Sequence, residues 1–283
     1  MSTPSQSSSG VGSAIPSPLS VVTLGNSVAF MQMGHDAGSN VGNYTDVVAA
    51  ELVGAGIPCT VANQGRWFDF VHKGLAQYES RVRPHRPNVL ILNYGLNESQ
   101  PWLVPVWLIG HLIRRESATT RIGEFYREKI AERIWRYVRK LRRILATWVG
   151  MRTWQTTPYR FEKALRRLIF IARAERNCLI LVVDINPPGA LLAHFLPGQE
   201  ARHQFYQDHL TRIIEDHKSP DIRIVRSSDV CNKLGMNQAL PDGMHLSRLA
   251  HCELGRMLAA EIVDWHATTT LGKVLPMPSP TAD

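Results

Sequence analysis

The chain has 283 residues and a mass of 31.8 kDa, enough for one generous domain or two small ones. Hydrophobic residues make up 44% and charged residues 20%, which excludes wholesale disorder and a collagen-like fibre, and a core of this size needs no metal or disulfide staple. The net charge of +8 is local: residues 114–176 hold 18 of the 32 Lys and Arg but 6 of the 24 acids, a net of +12 against −4 elsewhere, so any electrostatic partner belongs to that segment.

In chain order, residues 1–19 are rich in Ser, Pro and Gly and are expected to form a disordered tail. Ser20–Leu24 is a predicted strand, Tyr44–Gly54 a helix and Cys59–Ala62 a second strand. Asn88–Leu92 and Leu179–Ile185 are continuous aliphatic runs, the pattern of central strands covered on both faces. Ile222–Val225 makes a fifth strand, and Leu249–His266 an amphipathic closing helix. Residues 268–283 read as a flexible tail, leaving one domain over 20–267. The alternation predicts an α/β fold: a five-stranded parallel sheet between two helical layers.

Between the third and fourth strands lies a helical insertion, residues 100–160. Tyr126, Ile130, Ile134, Tyr137, Leu141, Ile144 and Trp148 recur at steps of three and four, an apolar seam on an otherwise basic helix. A second helix, Phe161–Arg176, follows. The plain expectation is a solvated cap whose seam packs on the body. The alternative is a lid or membrane-surface element, because Trp102, Leu103, Val104, Val106, Trp107, Leu108 and Ile109 precede Arg114 and Arg115, a combination suited to anionic lipid. Nucleic acid is disfavoured, since no binding module accompanies the charge. The longest apolar run, Pro101–Ile113, is too short to span a bilayer, and the N-terminus lacks the pattern of a secretory signal. The four scattered cysteines read as thiols in a reducing compartment. A cytoplasmic chain, peripheral to a membrane at most, is expected.

Ligands of such sheets bind beyond the carboxyl ends of the strands. Those ends are followed by Gly25-Asn26-Ser27, Asn63-Gln64-Gly65, Gly95-Leu96-Asn97-Glu98 and Pro241-Asp242-Gly243-Met244-His245. Singly, each has a bland reading, such as a helix cap or a permissive turn. Together they supply a hydroxyl nucleophile (Ser27), a base (His245) and a carboxylate to orient the base (Asp242). The Ser27 and Gly65 amides and the Asn97 side chain supply donors for an oxyanion. His35 and Asp36 read as loop polar groups. His203 and His209 share a helix without the carboxylate spacing of a metal site. Asp184–Pro188 ends the fourth strand and is a candidate lining of an acyl pocket.

With its blocks in order from Val21 to about His266, the sequence resembles the SGNH (GDSL-type) serine hydrolase superfamily. The family's GDS block reads Gly25-Asn26-Ser27, its block-two glycine is Gly65, its GxND block reads Gly95-Leu96-Asn97-Glu98, and the Asp242–His245 block is intact. The resemblance implies a flavodoxin-like sheet and an esterase acting through an acyl-serine intermediate, with no metal or cofactor. Asn26 and Glu98 depart from the family aspartates, and neither is nucleophile or base. Transfer of the acyl group to a sugar, lipid or natural-product alcohol is the first alternative. A catalytically reduced binding protein docking through its basic helices is the second. The oligomeric state is not legible.

Overall fold

The computed structural model describes residues 18–30, 42–101, 103–105, 107–108, 132–175 and 178–274. Five strands, β1 (Leu19–Gly25), β2 (Cys59–Asn63), β3 (Val89–Asn93), β4 (Leu179–Val183) and β5 (Ile222–Val225), form one parallel sheet in the order β2-β1-β3-β4-β5. Every residue of β3 and β4 is buried, as their uninterrupted aliphatic sequences require of strands covered on both faces. The fold is thus the expected three-layer α/β arrangement of flavodoxin-like order.

The order reverses at β1, where one connection leads to β2 and the next passes over to β3. Ligand crevices of doubly wound sheets open at such a switch point. Register brings the two strand ends level, with Gly25 opposite Asn93, and the Asn26 N–H donates to the Asn93 carbonyl at 3.2 Å. The loops that carry Ser27 and Asn97 therefore leave the sheet side by side.

The helices that bear on the site and its surroundings are α1 (Tyr44–Gly54), α2 (Glu132–Val149), α3 (Pro158–Glu175), α4 (Ala190–Phe195), α5 (Gln199–His217) and α6 (Arg248–Val274), with shorter helices at Val71–Ala76, Tyr78–Arg81, Leu96–Ser99, Ser227–Leu234 and Met236–Ala239. A capping box starts α1, with the Asn43 side chain accepting from Thr45 and Asp46 N–H and Asp46 accepting from Asn43 N–H. Helix α6 packs against α1 on one face of the sheet, and α3 and α5 pack together on the other, α3 burying Phe161, Leu165, Leu168 and Ile169. Helix α6 runs past His266 to Val274, where the Thr268 and Thr269 hydroxyls donate back to the Trp265 carbonyl at 2.8 Å.

The insertion departs from the plain expectation. Helix α2 leaves its seam in solvent: Ile134, Tyr137, Leu141, Ile144 and Trp148 are all exposed, while Arg142 and Ala146 are buried. Its contact with α4 is made by basic side chains instead. The Arg139 guanidinium lies 5.0 Å from the Phe195 ring centre, and Arg143 Nη1 lies 3.2 Å from His194 Nε2. Tyr126 and Ile130, like Trp102, Val106, Ile109, Arg114 and Arg115, fall outside the described residues.

The turn after β3 rests on one backbone choice. Gly95 has φ +118°, and a Cβ there would lie 2.5 Å from the Ile185 side chain. The Gly95→Ala variant is expected to lose more than about 1 kcal/mol of stability, read as a lower urea midpoint at unchanged slope; an unaltered midpoint would mean the turn tolerates a side chain.

Candidate active site

Asn26 follows β1 and caps a single 3₁₀ turn, Ser27–Ala29, its Oδ1 accepting the Val28 N–H at 3.0 Å. That bond asks only for a side-chain oxygen acceptor, so Asn serves where an Asp would. Ser27 sits at the first position of the turn, where an amide has no intrahelical acceptor. Its Oγ lies 2.8 Å from His245 Nε2, across 218 residues of sequence. His245 Nδ1 lies 2.6 Å from Asp242 Oδ2, and Asp242 Oδ1 accepts the N–H groups of Met244 (2.9 Å) and His245 (2.7 Å). Carboxylate and ring are thus fixed within one turn of chain. A neutral ring donating Nδ1–H to the carboxylate presents the Nε2 lone pair to the hydroxyl. Burial works against ionisation of Asp242, but the hydrogen bond and charge of His245 and the two backbone N–H groups outweigh it and hold the carboxyl below its ordinary range.

The other two expected residues lie on the segments that follow β2 and β3. Gly65 packs on the turn after the serine: a Cβ there would come within 3.0 Å of the Ala29 and Phe30 side chains. Its N–H donates to Asn63 Oδ1 at 2.9 Å, a bond it must share or surrender to hold an oxyanion. Asn97 is buried in the short helix Leu96–Ser99, and Nδ2 donates to the Asp69 carbonyl at 3.1 Å, which uses one of its two N–H groups. Glu98 bridges two segments of backbone. One oxygen accepts the Gly95 N–H at 2.8 Å and the other the Val71 N–H at 2.7 Å. Burial nevertheless pushes its carboxyl up to about 7.

Several supporting groups carry no sequence signal. Asp69 and Arg81 form a buried pair at 2.7 Å, 4% and 2% exposed. Tyr94 donates to the same carboxylate at 3.2 Å, and Arg81 also donates to the Gln64 carbonyl. Arg81 therefore ties the loop before Gly65 to the residue whose carbonyl holds Asn97. Trp67 stands edge-on to both Phe30 and His245, with ring centres 5.7 and 6.4 Å away. Behind the histidine loop, Asn186 Nδ2 donates to the Met244 carbonyl at 3.1 Å, and the Ser227 hydroxyl lies 2.7 Å from Asn186 Oδ1 and 2.5 Å from Asp184 Oδ1. The polar groups of the stretch after β4 thus brace the histidine loop, with Asp184 turned toward Ser227 and Ser228. Within that loop Gly243 has φ +81°, and its carbonyl accepts the Gly189 N–H at 3.0 Å.

The remaining candidates lie apart. His203 Nε2 sits 2.8 Å from the Ile185 carbonyl, and His209 lies between Arg212 and Glu162. Among the described residues no group of three His, Cys, Asp or Glu is placed to hold a metal, and all four cysteines are free thiols. His35 and Asp36 fall outside the described residues. No described helix is long and apolar enough to cross a membrane.

No family model and no curated protein matches the sequence. Solved structures do match the fold. A lipase/acylhydrolase from Enterococcus faecalis superposes with a TM-score of 0.59 at 15% identity, covering 87% of this chain and 96% of that one. An acetylxylan esterase from Geobacillus stearothermophilus gives 0.54 at 15% identity (86% and 94%), and TesA gives 0.53 at 13% identity (86% and 97%). At these identities the likeness establishes the shared α/β architecture.

Two outcomes test the supporting network. Removing the cation in Arg81→Met strands the buried Asp69 carboxylate and is expected to cost about 3–5 kcal/mol; urea titration of Arg81→Met and of Asp69→Asn/Arg81→Met should show the double variant recovering part of the loss. Glu98 binds its proton more tightly folded than unfolded. Its contribution is complete below the ordinary carboxylate range and declines as pH rises from about 4.5 to about 7. A Glu98→Gln variant should show a smaller decline over that window in urea midpoints, and an identical decline would remove Glu98 as its source.

Proposed function

We propose that the chain is a serine-dependent hydrolase of carboxylic esters of the SGNH type. The observation that carries the reading is the unbroken contact from Ser27 Oγ through His245 to Asp242, with separations of 2.8 and 2.6 Å. In the proposed reaction Ser27 Oγ attacks the ester carbonyl as its proton passes to His245 Nε2. Asp242 holds the ring and stabilises the imidazolium that forms. Negative charge on the former carbonyl oxygen is met by the Ser27 N–H, the Asn97 amide and the Gly65 N–H, the last released from Asn63. The imidazolium then protonates the leaving alcohol, and the same nitrogen activates water against the acyl-serine. As the carboxylic acid leaves, the ring passes the proton it took from water to Ser27 Oγ, the serine's own proton having departed with the alcohol; hydroxyl and neutral ring are both restored, and the reading invokes no metal or cofactor.

The fold relatives support it as far as their names go, since one is a lipase/acylhydrolase and another an acetylxylan esterase. Transfer of the acyl group would use the same residues with a second alcohol in place of water, and no observed contact favours it. A scaffold without turnover has no need of a serine seated against an oriented imidazole.

The test is hydrolysis of short p-nitrophenyl esters. Ser27→Ala should lose about 10³-fold or more in kcat, Asp242→Asn about 10⁴-fold, and Asn97→Ala about 10²- to 10³-fold. Equal rates in wild type and Ser27→Ala would remove the serine from the mechanism.

A further inference from the structure

Helix α2 is seated the wrong way round for a structural cap. Tyr137 and Trp148 are 71% and 83% exposed, and Ile134, Leu141 and Ile144 lie in the same outward stripe. Arg142 faces inward, buried to 8% exposure, and its Nε and one Nη have no partner among the described residues. A helix stabilised by its own core would bury the stripe and expose the arginine. Apolar surface of this kind marks an interaction site.

We infer that the outward face of α2 docks on an anionic lipid surface, the stripe entering the headgroup–acyl boundary and the cations meeting the lipid charge. Charge decides among the possible occupants. Arg133, Arg136 and Lys140 are all exposed and lie along one side of the stripe, and the helix sequence holds a single acid, Glu132. A second copy meeting this face across a two-fold axis would set one cationic flank against another. Residues 109–131 of the same chain carry five basic and three acidic residues, so they too would add positive charge. An anionic bilayer neutralises it, and Tyr and Trp are the side chains that prefer its interface.

The docked helix would also be tied to the crevice. Helix α2 packs on α4, and Gly189 at the start of α4 donates to Gly243 inside the histidine loop. Docking goes beyond the esterase reading and does not depend on it, because binding can be read without turnover.

The experiment is co-flotation of the full chain with phosphatidylcholine vesicles, with and without phosphatidylglycerol. Wild type and Ser27→Ala should float with the anionic vesicles alone, and less at high salt. Tyr137→Glu/Leu141→Glu/Trp148→Glu should reduce the floated fraction by about tenfold or more, and so should Arg133→Glu/Arg136→Glu/Lys140→Glu. All the substituted side chains are exposed, and an unchanged melting temperature confirms that each variant is folded. Failure of wild type to float overturns the inference, as does equal flotation of the folded variants. A dimer in solution that the stripe variant converts to monomer, without vesicle binding, overturns it in favour of a second copy.

Discussion

The 2.8 Å contact between Ser27 Oγ and His245 Nε2 joins two ends of the chain, and much of the architecture bears on whether it forms. The serine is placed by β1, the strand at which the winding direction reverses, and by a turn that Asn26 caps. The histidine is placed by the loop that precedes α6, where Leu246 is fully buried and the Ser247 N–H donates to the Ala239 carbonyl at 2.7 Å. Asn186 and Gly189 hydrogen-bond to this loop from the segment that follows β4, and Ser227 in turn donates to Asn186. A hydrogen bond of this length tolerates little error, so the bracing polar groups matter as much to the site as the residues that form it.

A second constraint lies beneath the crevice. Arg81 and Asp69 are charges removed from water, and such pairs contribute little net stability relative to apolar replacements. What the pair supplies here is position: one guanidinium grips the Gln64 carbonyl and the Asp69 carboxylate, and Asp69 in turn holds Asn97. The loop carrying Gly65 and the helix carrying Asn97 are thereby fixed to each other through side chains instead of sheet hydrogen bonds. Glu98 adds a third brace, joining the turn after β3 to the start of the helix at Val71.

Most of the sheet was legible because its strands are short aliphatic runs punctuated by Gly, Asn and Asp. The limits of β5 and α1 agree with the residues expected, and the other strands shift by one or two. The loops that meet at the crevice were legible for a simpler reason: each follows a strand, and parallel strands put their carboxyl ends on one side. The network that supports them was not. Asp69 and Arg81 stand twelve residues apart in a loop and a short helix, with no periodicity to connect them. The orientation of α2 was also hidden, because steps of three and four reveal that a helix has an apolar face and say nothing about which way the face turns. The contacts that seat it come from Arg139 and Arg143, residues that pattern alone assigns to solvent.

The account's central claim is that this hydroxyl is made nucleophilic by the ring beside it, and the most direct measurement is covalent capture. Treatment of the intact protein with a fluorophosphonate, followed by peptide mass spectrometry, should place a single adduct on Ser27, and His245→Ala should abolish it. An unmodified Ser27 under conditions that label other serine hydrolases, or labelling that persists without the histidine, would contradict the account.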